Sequence, residues 1–200
     1  MKESLLYKIL IRLDKIFIKI YRPTYIGVEN IPKEGPIILA GNHTSKMDPL
    51  LLVSSTNRCI HFLAKIELFK GIKKVFFTSL GIIPVDRKRK NPEAIAKANE
   101  YLQNNKVIGI FPESTINKTK DIIMPFKYGA VKLANETNAR IVPFSITHEY
   151  KLFKKSVIIC FDKPYKLTGD IEKDNKILEN KVINLIRRNQ WKKHINLHIQ

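Results

Sequence analysis

A histidine followed five residues later by an aspartate, His43 and Asp48, lies just past a short apolar run, Ile37 to Ala40, that Gly41 closes. These residue types suit a base and its orienter. A carboxylate that accepts the Nδ1 proton of an imidazole fixes its tautomer and stabilises the charged ring. On an ideal helix, positions five apart do not share a face, so the segment must wind through a turn for the two side chains to meet. Gly41 and Pro49 suit such a turn. The same spacing also fits an ordinary turn with a capping aspartate.

Two more polar clusters follow short apolar runs. Gly81-Ile82-Ile83-Pro84-Val85-Asp86-Arg87 leads into Lys88-Arg89-Lys90. Consecutive cations after a strand can hold a phosphate, and Arg does so bidentately, or they can form a solvated basic loop. Phe111-Pro112-Glu113-Ser114-Thr115 ends the run from Val107, with Lys118, Lys120 and Lys127 downstream. By residue type it reads as a polar loop or as part of a site at a strand end. His61, within an apolar run, and His148, after a strand, read as structural or solvent-facing. His194 and His198 lie in a basic tail. No HExxH, no Cys/His cluster with ligand spacing, no Walker loop and no G-x-G-x-x-G is present.

The elements that must carry these clusters are legible. Apolar runs at 37–40, 60–63, 82–85, 107–111, 141–146 and 157–161 read as strands buried on both faces. Helical patterns occupy Leu50 to Ser54, Pro92 to Gln103, Gly129 to Thr137 and Ile171 to Trp191, with Asn91 as a cap before Pro92. The alternation predicts a single α/β domain with a largely parallel buried sheet flanked by helices. Catalytic groups in such sheets gather beyond the carboxyl ends of the strands, where all three clusters fall.

Residues 3–21 carry the strongest helical period, through Leu5, Leu6, Ile9, Leu10, Leu13, Ile16, Phe17 and Ile20. Lys8, Arg12, Lys15 and Lys19 fall within an arc of roughly 60° on an ideal helix. Such a helix can lie in a membrane interface with its lysines toward lipid phosphates. It can equally pack on a core with a solvated cationic stripe.

The whole chain holds 36 Lys+Arg against 18 Asp+Glu, a net charge of +18 over 200 residues. That balance attracts nucleic acid, anionic lipid or phosphorylated ligands. No aromatic-interleaved basic strand or recognition-helix pattern supports nucleic acid. Cys59 and Cys160 sit in apolar runs and read as buried reduced thiols, in keeping with a cytoplasm. No stretch has the roughly 20 uninterrupted apolar residues that span a bilayer, and no signal-peptide pattern is evident.

Taken together, the motifs resemble those of the glycerolipid acyltransferase family, which includes lysophosphatidic acid acyltransferases. That family carries Asn-His-x-x-x-x-Asp, a Gly-x-Ile-x-Val-x-Arg-like block, Phe-Pro-Glu-Gly-Thr-Arg and an apolar-Val-Pro strand. Here Asn42-His43 to Asp48, Gly81 to Arg87, Phe111 to Thr115 and Ile141-Val142-Pro143 stand in that order, and Phe126-Lys127-Tyr128-Gly129-Ala130 is also similar. The resemblance covers roughly residues 25–165. It implies an O-acyltransferase that moves a fatty acyl group from acyl-CoA or acyl-carrier protein to lysophosphatidic acid, without a cofactor, in phospholipid synthesis.

In that picture His43 and Asp48 are catalytic and Asn42 supports them. Arg87, Glu113, Ser114, Thr115 and Lys127 bind substrate. Residues 1–22 form a membrane-associating helix, part of the same domain as the acyltransferase unit 23–200. Leu6, Ile9, Leu13, Phe17, Lys8, Arg12, Lys15 and Lys19 would meet an anionic membrane surface, placing the protein in the cytoplasm, peripheral on the inner face of the cell membrane. Transfer is direct, with Ser45 the nearest residue for an acyl-enzyme route. The chain departs from the family at Ser114-Thr115-Ile116, where Gly-Thr-Arg is usual. Ile116 cannot bind a phosphate as that arginine does, which leaves Arg87 with Lys118, Lys120 or Lys127. Glycerol 3-phosphate or another lysolipid is the alternative acceptor. A non-enzymatic basic protein that binds membrane or nucleic acid is the alternative class.

Overall fold

The computed structural model describes residues 5–86, 88–147, 149–155 and 157–197. The chain opens with helix α1 (Leu5–Ile18), which tightens into a 3-10 turn at Lys19–Tyr21. Strand β1 (Thr24–Ile26) and strand β2 (Ile37–Gly41) precede helix α2 (Asp48–Ser54) and strand β3 (Ile60–Lys65). Next come helix α3 (Ile72–Ser79), strand β4 (Ile83–Val85), helix α4 (Pro92–Gln103) and strand β5 (Val107–Ile110). Helix α5 (Gly129–Thr137), strand β6 (Arg140–Thr147), strand β7 (Ile158–Phe161) and helix α6 (Ile171–Leu197) complete it.

The strands form one seven-stranded sheet in the order β1-β7-β6-β2-β5-β3-β4. From β6 to β4 every pairing is parallel, and β7 turns back antiparallel against β6. The central strands are buried on both faces, which is why they appear in sequence as unbroken apolar runs. Alternate residues then serve two cores. Ile38, Ala40, Ile108 and Ile141 pack under α4, α5 and α6, through side chains such as Leu102, Val131 and Val182. Ile37, Leu39, Val142 and Phe144 pack on the opposite face with Leu51 and Leu52 of α2 and Ile18 of α1. The result is a helix–sheet–helix sandwich, as the alternation predicts.

Five details differ from the expectation. Strand β1 and helix α3 carry no clear sequence signal. Helix α6 continues past Trp191 to Leu197. Asn91 occupies the N-cap position of α4 but makes no cap bond. Its amide instead accepts from Asp86 N and donates to the carbonyls of Asp86 and Arg89, so it ties the basic loop together. Helix α1 divides its apolar residues between two surroundings: Tyr7 and Ile18 are buried, whereas Ile9, Leu13, Ile16 and Phe17 are exposed. Among the described residues no helix is long and apolar enough to cross a membrane.

Candidate active site

Strands β2 and β5 are neighbours and parallel, so the segments leaving their carboxyl ends emerge side by side. Gly41 ends β2 where a Cβ would stand 2.2 Å from Phe144 O, so no other residue allows the strand to pass β6 so closely. Asn42 then extends the pairing with its side chain. Its Nδ2 donates to Ile146 O and its Oδ1 accepts from Ile146 N, each at 2.8 Å. His43 follows, held at the edge of the sheet with its ring stacked on Phe111 at 4.1 Å between centroids.

Residues 44–47 wind through a turn in which Asp48 N donates to Ser45 O, and Asp48 opens α2. The turn brings Asp48 Oδ2 to 2.8 Å from His43 Nδ1. The carboxylate side chain is wholly buried, and the imidazole is 16% exposed. Four more donors surround the carboxylate. Thr44 N and Ser45 N donate to Oδ2 at 2.6 and 2.9 Å. Thr44 Oγ1 and Tyr150 OH donate to Oδ1 at 3.2 and 2.7 Å. A buried carboxylate needs such partners to stay charged. Burial, and next the charge of Asp48, push the Tyr150 phenol far above the ordinary tyrosine range, so it remains a donor. With Nδ1 engaged, Nε2 is the nitrogen that can accept a substrate proton.

The loop after β5 grips His43 from both sides. Glu113 is buried, and its Oε1 accepts from His43 N at 2.8 Å while its Oε2 accepts from Met124 N at 2.7 Å. Burial raises the Glu113 carboxyl above its ordinary value, although these two N–H bonds pull the other way. Asn117 N donates to His43 O at 2.8 Å. Between these grips Ser114 adopts φ 62°, the left-handed conformation for which glycine is suited. Ser114 N is already engaged by Phe111 O.

Of the substrate-binding candidates, Glu113, Ser114, Thr115 and Lys127 belong to the segment that leaves β5 on this edge. Lys127 is exposed, and its N donates to Pro112 O at 3.0 Å, which sets it beside the Phe111–Glu113 turn. The neighbouring Phe126 backbone is fixed by Glu179 and Asn175 of α6. Thr115 is exposed in the gripping loop. Arg87 lies outside the described residues. Its neighbours Asp86 and Arg89 face each other at 3.5 Å in a loop that leaves β4, two strands away from β5. Arg12 on α1 and Lys19 in the 3-10 turn after it are exposed, while the side chains of Leu6, Lys8 and Lys15 fall outside the description.

Tyr150, Thr44, Met124 and Asn117 carry no sequence signal for these roles. Tyr150 lies in the loop between β6 and β7 and meets Asp48 only through the fold. His61, expected to be structural, stacks on Tyr101 at 3.9 Å and bonds Gly81 O. Cys59 and Cys160 are buried, and among the described residues no group of metal-ligating side chains assembles.

Comparison with known proteins agrees with this architecture. The model of the Acyltransferase family matches residues 22–147, which contain both loops of the site. The 1-acyl-sn-glycerol-3-phosphate acyltransferase of Borreliella burgdorferi is 34% identical over 135 residues, covering 66% of this chain and 54% of that protein. A probable 1-acyl-sn-glycerol-3-phosphate acyltransferase of Mycoplasma genitalium is 28% identical over 182 residues, covering 88% of this chain and 66% of that protein. The chain thus spans from 54% to 66% of the length of these curated relatives. The crystal structure of the 1-acyl-sn-glycerophosphate (LPA) acyltransferase PlsC from Thermotoga maritima shares the fold. Its TM-score is 0.74 at 23% identity, over 92% of this chain and 81% of that chain. With the family match covering more than half of its length, the chain belongs to the acyltransferase family.

Proposed function

We propose that this protein is an O-acyltransferase that moves a fatty acyl group from an acyl thioester to the hydroxyl of lysophosphatidic acid at a membrane surface. The observation that carries the reading is the 2.8 Å contact between His43 Nδ1 and the buried, fully hydrogen-bonded Asp48 carboxylate. His43 Nε2 takes the proton of the acceptor hydroxyl. The alkoxide oxygen attacks the thioester carbonyl, and the tetrahedral adduct expels the thiolate. The imidazolium returns its proton to that sulfur, so the products are an ester and a free thiol. Asp48 holds the ring and stabilises its charged form between the two transfers. Among the described residues no hydroxyl or thiol bonds the His43 ring, and Ser45 Oγ accepts from Met47 N, which supports direct transfer.

The donor is acyl-CoA or acyl-carrier protein, both acidic partners suited to a chain of net charge +18. No cofactor takes part. Arg87 and Lys127 supply cations for the acceptor phosphate in place of the contact that Ile116 cannot make. The exposed stripe of Ile9, Leu13, Ile16 and Phe17 on α1, with Arg12 and Lys19 beside it, lies on an anionic membrane at its cytoplasmic face.

The test uses purified protein, a labelled acyl thioester and a panel of glycerol 3-phosphate, lysophosphatidic acid and other lysolipids, with products resolved by mass. Lysophosphatidic acid should be the best acceptor, and His43→Ala should abolish turnover while vesicle binding persists. Turnover that survives in a folded His43→Ala protein refutes the mechanism. A better acceptor elsewhere in the panel refutes the substrate.

A further inference from the structure

Helix α3 departs from what a crossover between parallel strands normally does. Strand β3 leaves the sheet at Lys65, passes a 3-10 turn at Ile66–Leu68 and forms α3 before β4 returns beside it, with Leu63 facing Ile83. Such a crossover helix ordinarily buries one side on the sheet. None of the residues of α3 is buried. Ile72, Val75 and Phe76, at positions i, i+3 and i+4, form one face of the helix, yet Ile72 is 89% and Val75 72% exposed. Ile66 and Leu68 in the preceding turn are exposed as well. Gly71 sits between them at φ 53° and ψ −137°, a conformation that glycine alone adopts readily, and it sets the angle at which α3 leaves the turn.

The charge around this face is one-sided. Lys65, Lys70, Lys73 and Lys74 are all exposed, against Glu67 alone. Apolar tips interleaved with lysines match an anionic bilayer: the tips enter the acyl region and the ammonium groups stay at the phosphates. Position favours the same occupant. Strands β3, β5, β2 and β6 are parallel, so the segments leaving them share one edge of the sheet. His43 and Glu113 stand on that edge. Leu152 and Phe153, in the segment that follows β6, are exposed too, and Phe153 N donates to Ile20 O in the 3-10 turn after α1.

We propose that α3 and the turn before it are a second membrane-docking element. Ile72, Val75 and Phe76 enter an anionic leaflet, and Lys70, Lys73 and Lys74 rest at its phosphates. The proposal rests on the reading of this chain as a membrane-surface acyltransferase and deepens it. With α1 and α3 both seated, the carboxyl edge of the sheet faces the bilayer, and a lipid acceptor reaches His43 without leaving the leaflet.

The experiment attaches a polarity-sensitive fluorophore to a Val75→Cys variant of the full chain, and in parallel to a Leu13→Cys variant on α1. Cys59 and Cys160 are buried, which favours labelling at the new thiol. Vesicles of phosphatidylcholine with phosphatidylglycerol should shift the Val75 probe to the blue, and spin-labelled lipid should quench it. Pure phosphatidylcholine or high salt should weaken both effects. A silent Val75 probe beside a responding Leu13 probe overturns the docking role of α3 and leaves the membrane reading intact. Two silent probes, with the protein absent from floated vesicles, remove the membrane reading and this proposal with it. A Val75 probe that responds to protein concentration without lipid assigns the face to a second copy of the chain and also overturns the proposal. As an independent check, Ile72→Ser with Val75→Ser should reduce vesicle binding several-fold while turnover of a water-soluble short-chain acceptor stays unchanged. Undiminished binding in that folded variant overturns the proposal.

Discussion

Tyr150 donates its phenolic hydrogen to Asp48 Oδ1 at 2.7 Å, across 102 residues of chain. In the proposed mechanism Tyr150 meets Asp48 rather than the reacting atoms, so its role is to position the carboxylate and draw charge from it. Tyr150→Phe keeps the ring, which also packs edge-on against Tyr21 at 5.7 Å. A hydrogen bond to a charged group is worth about 1.5–3 kcal/mol, so kcat should fall by about tenfold or more. The fall should appear in kcat with little change in acceptor KM, and a folded variant with unchanged kcat would restrict Tyr150 to packing.

The proposed catalytic pair, His43 and Asp48, gives the largest expected effects. His43→Ala should lower turnover by about 10³-fold or more, and Asp48→Asn by about 10²- to 10⁴-fold, because the amide disturbs both the tautomer and the charge balance. Steady-state kinetics on folded protein checks both. Circular dichroism separates loss of chemistry from loss of fold.

Glu113 makes stability depend on pH. Its folded pKa is raised above the ordinary 4.5 because burial outweighs the two N–H bonds. Between 4.5 and that higher value the folded state binds more protons than the unfolded one, so this group's contribution falls as pH rises and then levels off. Glu113→Gln removes this dependence. Thermal melts across mildly acidic pH should show a shallower loss in the variant, and parallel curves would contradict the assignment.

Ser114 sits in the left-handed region at φ 62°, which costs a side-chain-bearing residue roughly 1–2 kcal/mol. Ser114→Gly relieves that strain and loses part of the gain to the greater freedom of the unfolded chain. The net expectation is up to about 1 kcal/mol, or a melting temperature about 2–4 °C higher. Ser114→Val should lower it. A Gly variant that melts earlier would show that the turn relies on the serine hydroxyl.

The proposed membrane seating by α1 can be separated from core packing, since different residues would serve each. Leu13→Ser, Ile16→Ser and Phe17→Ser together leave the buried Tyr7 and Ile18 untouched. Vesicle co-sedimentation should weaken by about tenfold or more. Binding of the unaltered protein should also weaken with salt, as each lysine near an anionic surface contributes about 1 kcal/mol. Full binding by the triple variant would return α1 to a purely structural role.

The parts of this structure that the sequence revealed share one property: their determinants are local. Ile37-Ile38-Leu39-Ala40 reads as a strand because both faces are buried, and Pro92 marks a helix start because its missing N–H costs nothing there. Strand β1 is a short pairing whose Thr24 is exposed, so its existence depends on β7 rather than on its own pattern. Helix α3 spans only Ile72–Ser79, too short for its apolar face to establish a period in the sequence. The site divides in the same way. The turn from His43 to Asp48 is local and was legible, whereas Tyr150, Met124 and Asn117 arrive through strand order.

The grip on His43 is written mostly in the backbone. The N–H of His43, the N–H of Met124 and the link from Asn117 to His43 ask nothing of those side chains, and only Glu113 must keep its identity. Positions 115 and 116 lie between the anchors and can change without altering these backbone contacts, whereas position 114 is constrained by its positive φ. If the loop meets the acceptor as proposed, a change at Thr115 or Ile116 alters what it recognises while the grip on His43 stays in place, which makes this short stretch the place to engineer acceptor choice.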